Sequence, residues 1–129
     1  MMQTSMFYAH HRIDEILGNI SKVLRPGGVL VTTDFVRVSD TADISEFMTM
    51  NSMPAILSLE EMKAAFLRNG MEYCGGENLD EHCMKCNAMK AEKVEREKIV
   101  GPSVAFFNLR ENTVKEKSVS FQIVMAKKL

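Results

Sequence analysis

The sequence predicts an α/β fold, mainly from one continuous stretch between Arg12 and Phe35 and from two later segments. The stretch contains an amphipathic helix, a Pro-Gly-Gly stop and a short apolar strand, which together make the second half of a βαβ unit. A second helix-and-strand pair is predicted over residues 58–77, and an alternating strand over residues 118–127 closes the chain. Strands that alternate with helices are typical of an α/β sheet.

The first helix is predicted from an apolar stripe at helical spacing. The stripe consists of Ile13, Ile16, Leu17, Ile20 and Leu24. Lys22 and Arg25 place positive charge in the last turn, where it complements the helix dipole. Pro26 prevents the helix from continuing, and the Gly27-Gly28 pair can adopt the positive φ of a tight reversal.

The strand that follows, residues 29–33, is apolar and β-branched without alternation, as in a parallel strand covered on both faces. We expect it to end at Asp34, where the sheet gives way to a loop. A crossover helix requires another parallel strand before it. Residues 1–11 are too few and too polar for a buried strand with its loop, so we expect the sequence to begin inside a domain, with Gln3 to His11 as a loop.

Later segments complete the predicted scaffold. Residues 40–53 form a methionine-rich, loosely helical segment that suits either a substrate lid or ordinary packing. Ser58 and Glu61 form a capping box that opens a helix, and Gly70 fits the residue after its end. Pro102 suits the first position of another helix, and the closing strand has one apolar face. That face consists of Val119, Phe121, Ile123 and Met125.

In this order, the segments resemble the class I S-adenosylmethionine-dependent methyltransferases, in particular the small-molecule enzymes related to sterol, tocopherol and sugar O-methyltransferases. TSMFYAHHR, the first helix and LRPGGVLVTTDF are similar to the family's segment after strand 4, its helix and its fifth strand. LSLEEMKAAFLRNGMEY and SVSFQIVMAKKL are similar to the regions of strands 6 and 7. The resemblance implies one partial Rossmann-like domain over residues 1–129, with strands 5, 6 and 7 and their flanking helices.

The resemblance implies S-adenosylmethionine as cofactor and a small molecule as methyl acceptor. Ser5 and Met6 would lie near the cofactor, and His10, His11 and Asp34 near the acceptor, where a histidine paired with the carboxylate would act as base. From the residues alone, the two histidines also fit solvated loop positions near a helix start, and Asp34 fits a carboxylate that accepts hydrogen bonds from the following loop. The family's Gly-rich loop and second-strand acidic residue have no counterpart, so we expect the N-terminal cofactor-binding half to be absent.

Composition limits the other function classes. The 129 residues are 46% apolar, enough for one core, and have no apolar run near the roughly 20 residues of a membrane span. A net charge of −1 gives no reason to expect nucleic acid as a partner. Three cysteines favour a reduced, cytoplasmic setting over a disulfide framework. An incomplete sheet predicts an exposed edge, which would pair with the missing half or with a second copy.

His82, Cys83 and Cys86 form the one cluster that suggests metal or redox chemistry, with Cys74 as the only further cysteine. The alternative places both later cysteines as small apolar residues on a helix face. Three hypotheses follow: an incomplete methyltransferase, a non-catalytic remnant that pairs with a partner or itself, and a metal or redox module.

Overall fold

The computed structural model describes residues 1–101 and 103–129, so the predicted helix start at Pro102 lies outside the described residues. A 3₁₀ helix, Phe7–Arg12, follows the first strand. The helices are α1 Ile13–Val23, α2 Ser45–Met50, α3 Leu59–Arg68, α4 Asp80–Glu97 and α5 Val104–Lys115. The strands are β1 Met2–Thr4, β2 Val29–Arg37, β3 Met71–Asn78 and β4 Val119–Lys128, in the sheet order β1-β2-β4-β3.

The strand before the first helix is present, so the expectation that residues 1–11 could not hold one is wrong. β1 pairs in parallel with β2, and its register runs from Met2 opposite Leu30 to Thr4 opposite Thr32. Three residues are enough because Met2 alone needs to pack against the core, while Gln3 is exposed. The chain then enters the 3₁₀ helix rather than the predicted loop. β1, α1 and β2 complete the βαβ unit.

The helix, turn and strand after Arg12 match the prediction. Leu17 is fully buried, and the rest of the predicted stripe is buried or packs against the same cluster. Gly27 has a φ of +79°, the conformation that the reversal after Pro26 requires. A Cβ on Gly28 would lie 2.9 Å from the carbonyl oxygen of Arg25, so the turn needs glycine there for space.

β2 does not stop at Asp34, as the sequence suggested, but continues to Arg37. Its antiparallel partner β4 supplies the reason, since their register extends from Val29 opposite Lys127 to Arg37 opposite Val119. The closing strand is antiparallel to both neighbours, as the resemblance implied. Only β1 ends early, so Asp34 lies beyond the last parallel pair but inside the sheet.

Alternation along β2 and β4 divides the core into two clusters. One lies between the sheet, α1 and α3, and includes Leu30, Val36 and Phe66. The other lies near the end of β2 with α2, α4 and α5, and includes Phe35 and Phe47. Asp34 and Phe35 therefore face opposite sides of the sheet.

Helix α3 begins and ends as predicted. Ser58 and Glu61 form both hydrogen bonds of the capping box, and Gly70 has a φ of +71°. Helix α4 continues beyond the cysteine cluster to Glu97, and its buried face includes Cys83 and Ala91.

Candidate active site

The carboxyl end of the parallel pair β1–β2 is the place where an open α/β sheet binds ligands. The chain leaves β1 at Ser5, whose exposed hydroxyl oxygen lies 3.0 Å from that of Thr33 on β2. Met6, the other residue expected near a cofactor, has its side chain in the core, and its backbone N–H points at β2. Ser5 and Thr33 thus present hydroxyls at this rim, while Met6 presents backbone only.

Asp34 is fully buried directly behind this rim. One carboxylate oxygen accepts a 2.8 Å hydrogen bond from the backbone N–H of Met6, and the other accepts one from the Thr32 hydroxyl. The Met6 bond spans 28 residues and fixes the turn after β1 to β2. The carboxylate does bond a loop, although it is the loop before the 3₁₀ helix, not the one after β2.

His10 lies beside this carboxylate and is buried, which excludes the solvated-loop position for this residue. Its Nδ1 accepts a 3.1 Å hydrogen bond from the backbone N–H of Leu57, in the loop before α3. A ring nitrogen that accepts carries no proton, so the neutral ring holds its proton on Nε2. That nitrogen lies 3.7 Å from Oδ1 of Asp34, too far for an ordinary hydrogen bond.

His11 is exposed and does not join this pair. The structure therefore brings Met6, His10 and Asp34 together and leaves His11 and Ser5 at the surface. A buried imidazole with both nitrogens turned toward protein groups can hold the Leu57 loop in place. To exchange a proton with a ligand, the imidazole would need an open path to it. In this conformation the surrounding side chains close that path.

A separate cavity of about 190 Å³ opens on the other face of the sheet, between α4, α5 and the adjoining ends of β2 and β4. Phe35 and Phe121 line it from the strands, and Asn87 and Arg110 from the helices. The role of Arg110 was not predicted from the sequence. A single arginine in a predicted amphipathic helix does not indicate which loops fold against it. The aromatic side chains alternate with Asp34 and Gln122 along the strands, so this cavity and the His10–Asp34 pair are on opposite faces.

Solved structures similar to this chain include two methyltransferases and a cyclase. Phosphoethanolamine N-methyltransferase 2 of Haemonchus contortus matches with a TM-score of 0.79 and 15% identity over 97% of this chain and 32% of its own. Geranyl diphosphate C-methyltransferase of Streptomyces coelicolor matches with a TM-score of 0.79 and 14% identity over 98% and 45%. The (4+2)-cyclase SpnF matches with a TM-score of 0.70 and 20% identity over 98% and 48%. No family model and no curated protein matches the sequence significantly.

The chain has the fold of the C-terminal half of a class I methyltransferase. It spans between about a third and a half of the length of these structures. The implied strands 5, 6 and 7 are β2, β3 and β4, and β1 adds strand 4 to the predicted set.

The cysteine cluster of the described residues does not assemble into a metal site. Cys74 is exposed on β3, Cys83 is buried on α4, and Cys86 Sγ lies 3.4 Å from Nε2 of His82 one turn earlier. Within residues 1–101 and 103–129, no group of three or more His, Cys, Asp or Glu side chains is placed to hold a metal ion. Burial raises the pKa of the Cys83 thiol, which lowers its thiolate fraction and opposes redox reactivity.

None of the helices in the described part of the chain combines the length and the apolar character that crossing a bilayer requires.

Proposed function

We propose that this chain is the acceptor-side half of an S-adenosylmethionine-dependent methyltransferase that acts on small molecules. The observation that carries the proposal is the fold: the order β1-β2-β4-β3, with one parallel pair and an antiparallel closing strand, matches methyltransferases over nearly the whole chain. Both of those structures were solved with S-adenosylhomocysteine. Fold alone does not fix chemistry, so the proposal also needs residues suited to the reaction.

The cofactor contacts in this proposal lie at the end of β1. Ser5 offers an exposed hydroxyl there, and Met6 offers backbone held in place by Asp34. The sulfonium methyl of S-adenosylmethionine, when bound, supplies the electrophile. This half lacks a Gly-rich loop and a second-strand acidic residue, so most of the cofactor affinity would have to come from residues outside it.

The contribution of this half to methyl transfer is mainly positioning. An acceptor must lie in line with the sulfonium methyl, and holding the two in that geometry is the largest effect available. The His10–Asp34 pair fixes the turn after β1 and the loop before α3, both of which border the rim. His11 is the exposed histidine of this segment and is the one accessible to take a proton from an acceptor.

An N-terminal half would have a defined place to bind. The outer edge of β1 has no strand beside it among the described residues, since β1 is the first strand of the order. Four apolar side chains on one face of β2 and β4 are partly exposed and belong to neither core cluster. They are Val29, Val31, Ile123 and Met125. A free edge beside an apolar face is the surface that a neighbouring strand and helix would cover.

The same surface supports a second candidate, a non-catalytic chain that pairs with a partner or with itself through this edge. The burial of both His10 and Asp34 favours it, because neither group is open to a ligand. It predicts a stable oligomer and no affinity for the cofactor.

Calorimetric titration of the purified chain with S-adenosylhomocysteine, with the mass measured in the same buffer, separates the two. Heat of binding that disappears in Ser5→Trp and persists in Asn19→Trp supports the methyltransferase proposal, since Asn19 is exposed on α1, outside the turn after β1. A folded oligomer that binds no S-adenosylhomocysteine even at millimolar ligand concentration supports the non-catalytic chain and contradicts the enzymatic one.

A further inference from the structure

The cavity beside α4 and α5 is large enough to hold part of a small molecule but not a whole drug-sized one. Its 190 Å³ is several times the roughly 30 Å³ that a water molecule occupies, and below the roughly 300 Å³ at which pockets hold a whole drug-sized ligand. Phe35 and Phe121 form an aromatic wall, with ring centroids 4.8 Å apart. A flat apolar body of one ring fits against such a wall.

Arg110 is the cation of this cavity. Its Nε donates to the side-chain oxygen of Asn51, and its Nη2 lies 3.4 Å from the Tyr8 hydroxyl. The guanidinium also stacks over the rings of Phe106, at 4.5 Å, and Phe35, at 5.5 Å. These contacts aim a rigid, partly buried fork of donors into the cavity while leaving N–H groups of both terminal nitrogens unused.

No carboxylate neutralises this charge among the described residues. The ion pairs found in residues 1–101 and 103–129 include neither Arg110 nor Lys90, the second cation of the cavity wall. The nearby Asp80 uses its carboxylate to accept hydrogen bonds from the Ser120 hydroxyl and the Phe121 N–H, at 2.7 to 3.0 Å. Two positive groups thus face a cavity that lacks a matched anion.

Asn87 adds an unpaired acceptor to the same wall. Its side-chain nitrogen donates to the carbonyl oxygen of Cys83 at 2.8 Å and lies 3.3 Å from the Cys83 sulfur, which fixes the orientation of the amide. Its oxygen, Oδ1, is buried without a hydrogen-bond partner, and the residue lines the cavity. A buried acceptor without a partner costs about 1–3 kcal/mol, so a small movement of the amide that brings Oδ1 to a ligand donor would be favourable.

We infer that this cavity binds an oxyanion, a carboxylate or a phosphate, carried on a small aromatic or apolar body. Arg110 pairs with the oxyanion, Lys90 adds charge at the mouth, Phe35 and Phe121 contact the apolar body, and Asn87 accepts from a hydroxyl or amine on it. If the proposed methyltransferase function holds, on which this assignment of role rests, the occupant is the methyl acceptor. The site itself needs no cofactor, so its binding is measurable on this chain alone.

Titration of ¹⁵N-labelled chain with benzoate, phenyl phosphate and benzyl alcohol tests the inference by NMR. Benzoate or phenyl phosphate is expected to shift the amides of Phe35, Asn87 and Arg110 with millimolar affinity, and the uncharged alcohol to bind at least about tenfold more weakly. The stronger of the two anions identifies the oxyanion class. Equal binding of the alcohol, or no shift at these amides with any probe, would overturn the inference.

Matched variants distinguish the effect of losing the positive charge from the effect of disturbing the fold. Arg110→Gln is expected to weaken anion binding about tenfold or more, and Arg110→Lys to recover part of it because charge returns without the fork. Arg25→Gln, the same change at an exposed site in the turn after α1, should leave binding unchanged. Lys90→Gln, at an exposed position that cannot unfold the core, should weaken binding severalfold. Anion affinity that is unchanged in both Arg110→Gln and Lys90→Gln would refute the site.

The same samples distinguish failure of this inference from failure of the proposed function. Anion binding that depends on Arg110, without binding of S-adenosylhomocysteine, supports the anion site and contradicts the methyltransferase proposal. Binding of S-adenosylhomocysteine without anion binding supports the methyltransferase proposal and contradicts the anion site.

Discussion

The imidazole of His10 and the carboxylate of Asp34 face each other in the interior, with Nε2 and Oδ1 3.7 Å apart and neither side chain accessible to solvent. Through Met6 the carboxylate holds the turn after β1, and through Leu57 the imidazole holds the loop before α3. The carbonyl of Leu57 in turn accepts from the N–H of Arg37, at the end of β2. One buried pair therefore joins three segments at the rim where a ligand would bind.

Replacement of Asp34 by Ala is expected to destabilise the chain by about 1–3 kcal/mol, because the N–H of Met6 then stays buried without an acceptor. Urea denaturation followed by circular dichroism measures the change. Asp40→Ala is the control: its carboxylate is 86% exposed and should cost about 0.5 kcal/mol or less. Equal effects of the two substitutions would mean that the buried network is not formed.

The adjacent histidines provide a second matched pair. His10→Ala should cost about 1–3 kcal/mol by leaving the Leu57 N–H unpaired, whereas His11→Ala, at an exposed position, should cost about 0.5 kcal/mol or less. Asn places an acceptor where Nδ1 lies, so His10→Asn should recover more stability than His10→Gln. If Gln rescued better than Asn, the Leu57 bond to Nδ1 would be ruled out.

Glu61 links acid stability to the capping box of α3. Its hydrogen bond from the Ser58 N–H, with Arg37 nearby, lowers the pKa of the Glu61 carboxyl below 4.5. A lowered folded-state pKa contributes stability above the unfolded pKa and loses it as the pH falls through the folded value. The stability difference between parent and Glu61→Gln should therefore be constant near neutral pH and shrink below pH 4.5.

Urea denaturation at pH values from 7 to 3 measures the stability difference between the parent and Glu61→Gln. Glu95→Gln, on the exposed face of α4, is the control. A Glu61→Gln difference that persists or grows in acid would contradict the assigned hydrogen bond.

Two glycines should respond in opposite directions to alanine. A Cβ on Gly76 would lie 2.3 Å from the carbonyl oxygen of Ile123 on the paired strand, so Gly76→Ala must separate β3 from β4 and should cost more than about 1 kcal/mol. Gly18 lies inside α1, where a Cβ would meet only the Asn69 side chain at 3.4 Å. Gly18→Ala should therefore be neutral or stabilise by up to about 1 kcal/mol, from helix propensity. Thermal melts that reverse this order would show that β3 is paired differently.

Much of the fold was predictable because local physics dictates it. Helical spacing, the Pro-Gly-Gly stop, the Ser58 capping box and the alternation in β4 each act within a few residues. β1 was not predictable, since three mixed residues carry no periodicity and pair only because β2 already exists. The extension of β2 past Asp34 was missed for the same reason, as β4 supplies its partner more than 80 residues later.

In the candidate site too, features that depend on local sequence were predictable and features that depend on distant contacts were not. A carboxylate near the end of a strand and histidines before a helix were visible in the sequence, and the structure brings His10 and Asp34 together. Which of the two histidines faces inward depends on the 3₁₀ helix and on a hydrogen bond across 47 residues to Leu57, neither of which leaves a local signal. Arg110 reaches its cavity through contacts 59 and 102 residues distant, with Asn51 and Tyr8.

The most direct test of the central claim, that this half contacts S-adenosylmethionine at the end of β1, is a ¹H–¹⁵N NMR titration of the chain with S-adenosylhomocysteine. NMR detects even millimolar affinity, which is what a half-site without the Gly-rich loop would retain. The account predicts shifts at Ser5, Met6 and Thr33, their loss in Ser5→Trp, and undisturbed amides along α3. Saturating ligand that leaves Ser5 and Met6 unshifted, or that shifts α3 instead, would contradict it.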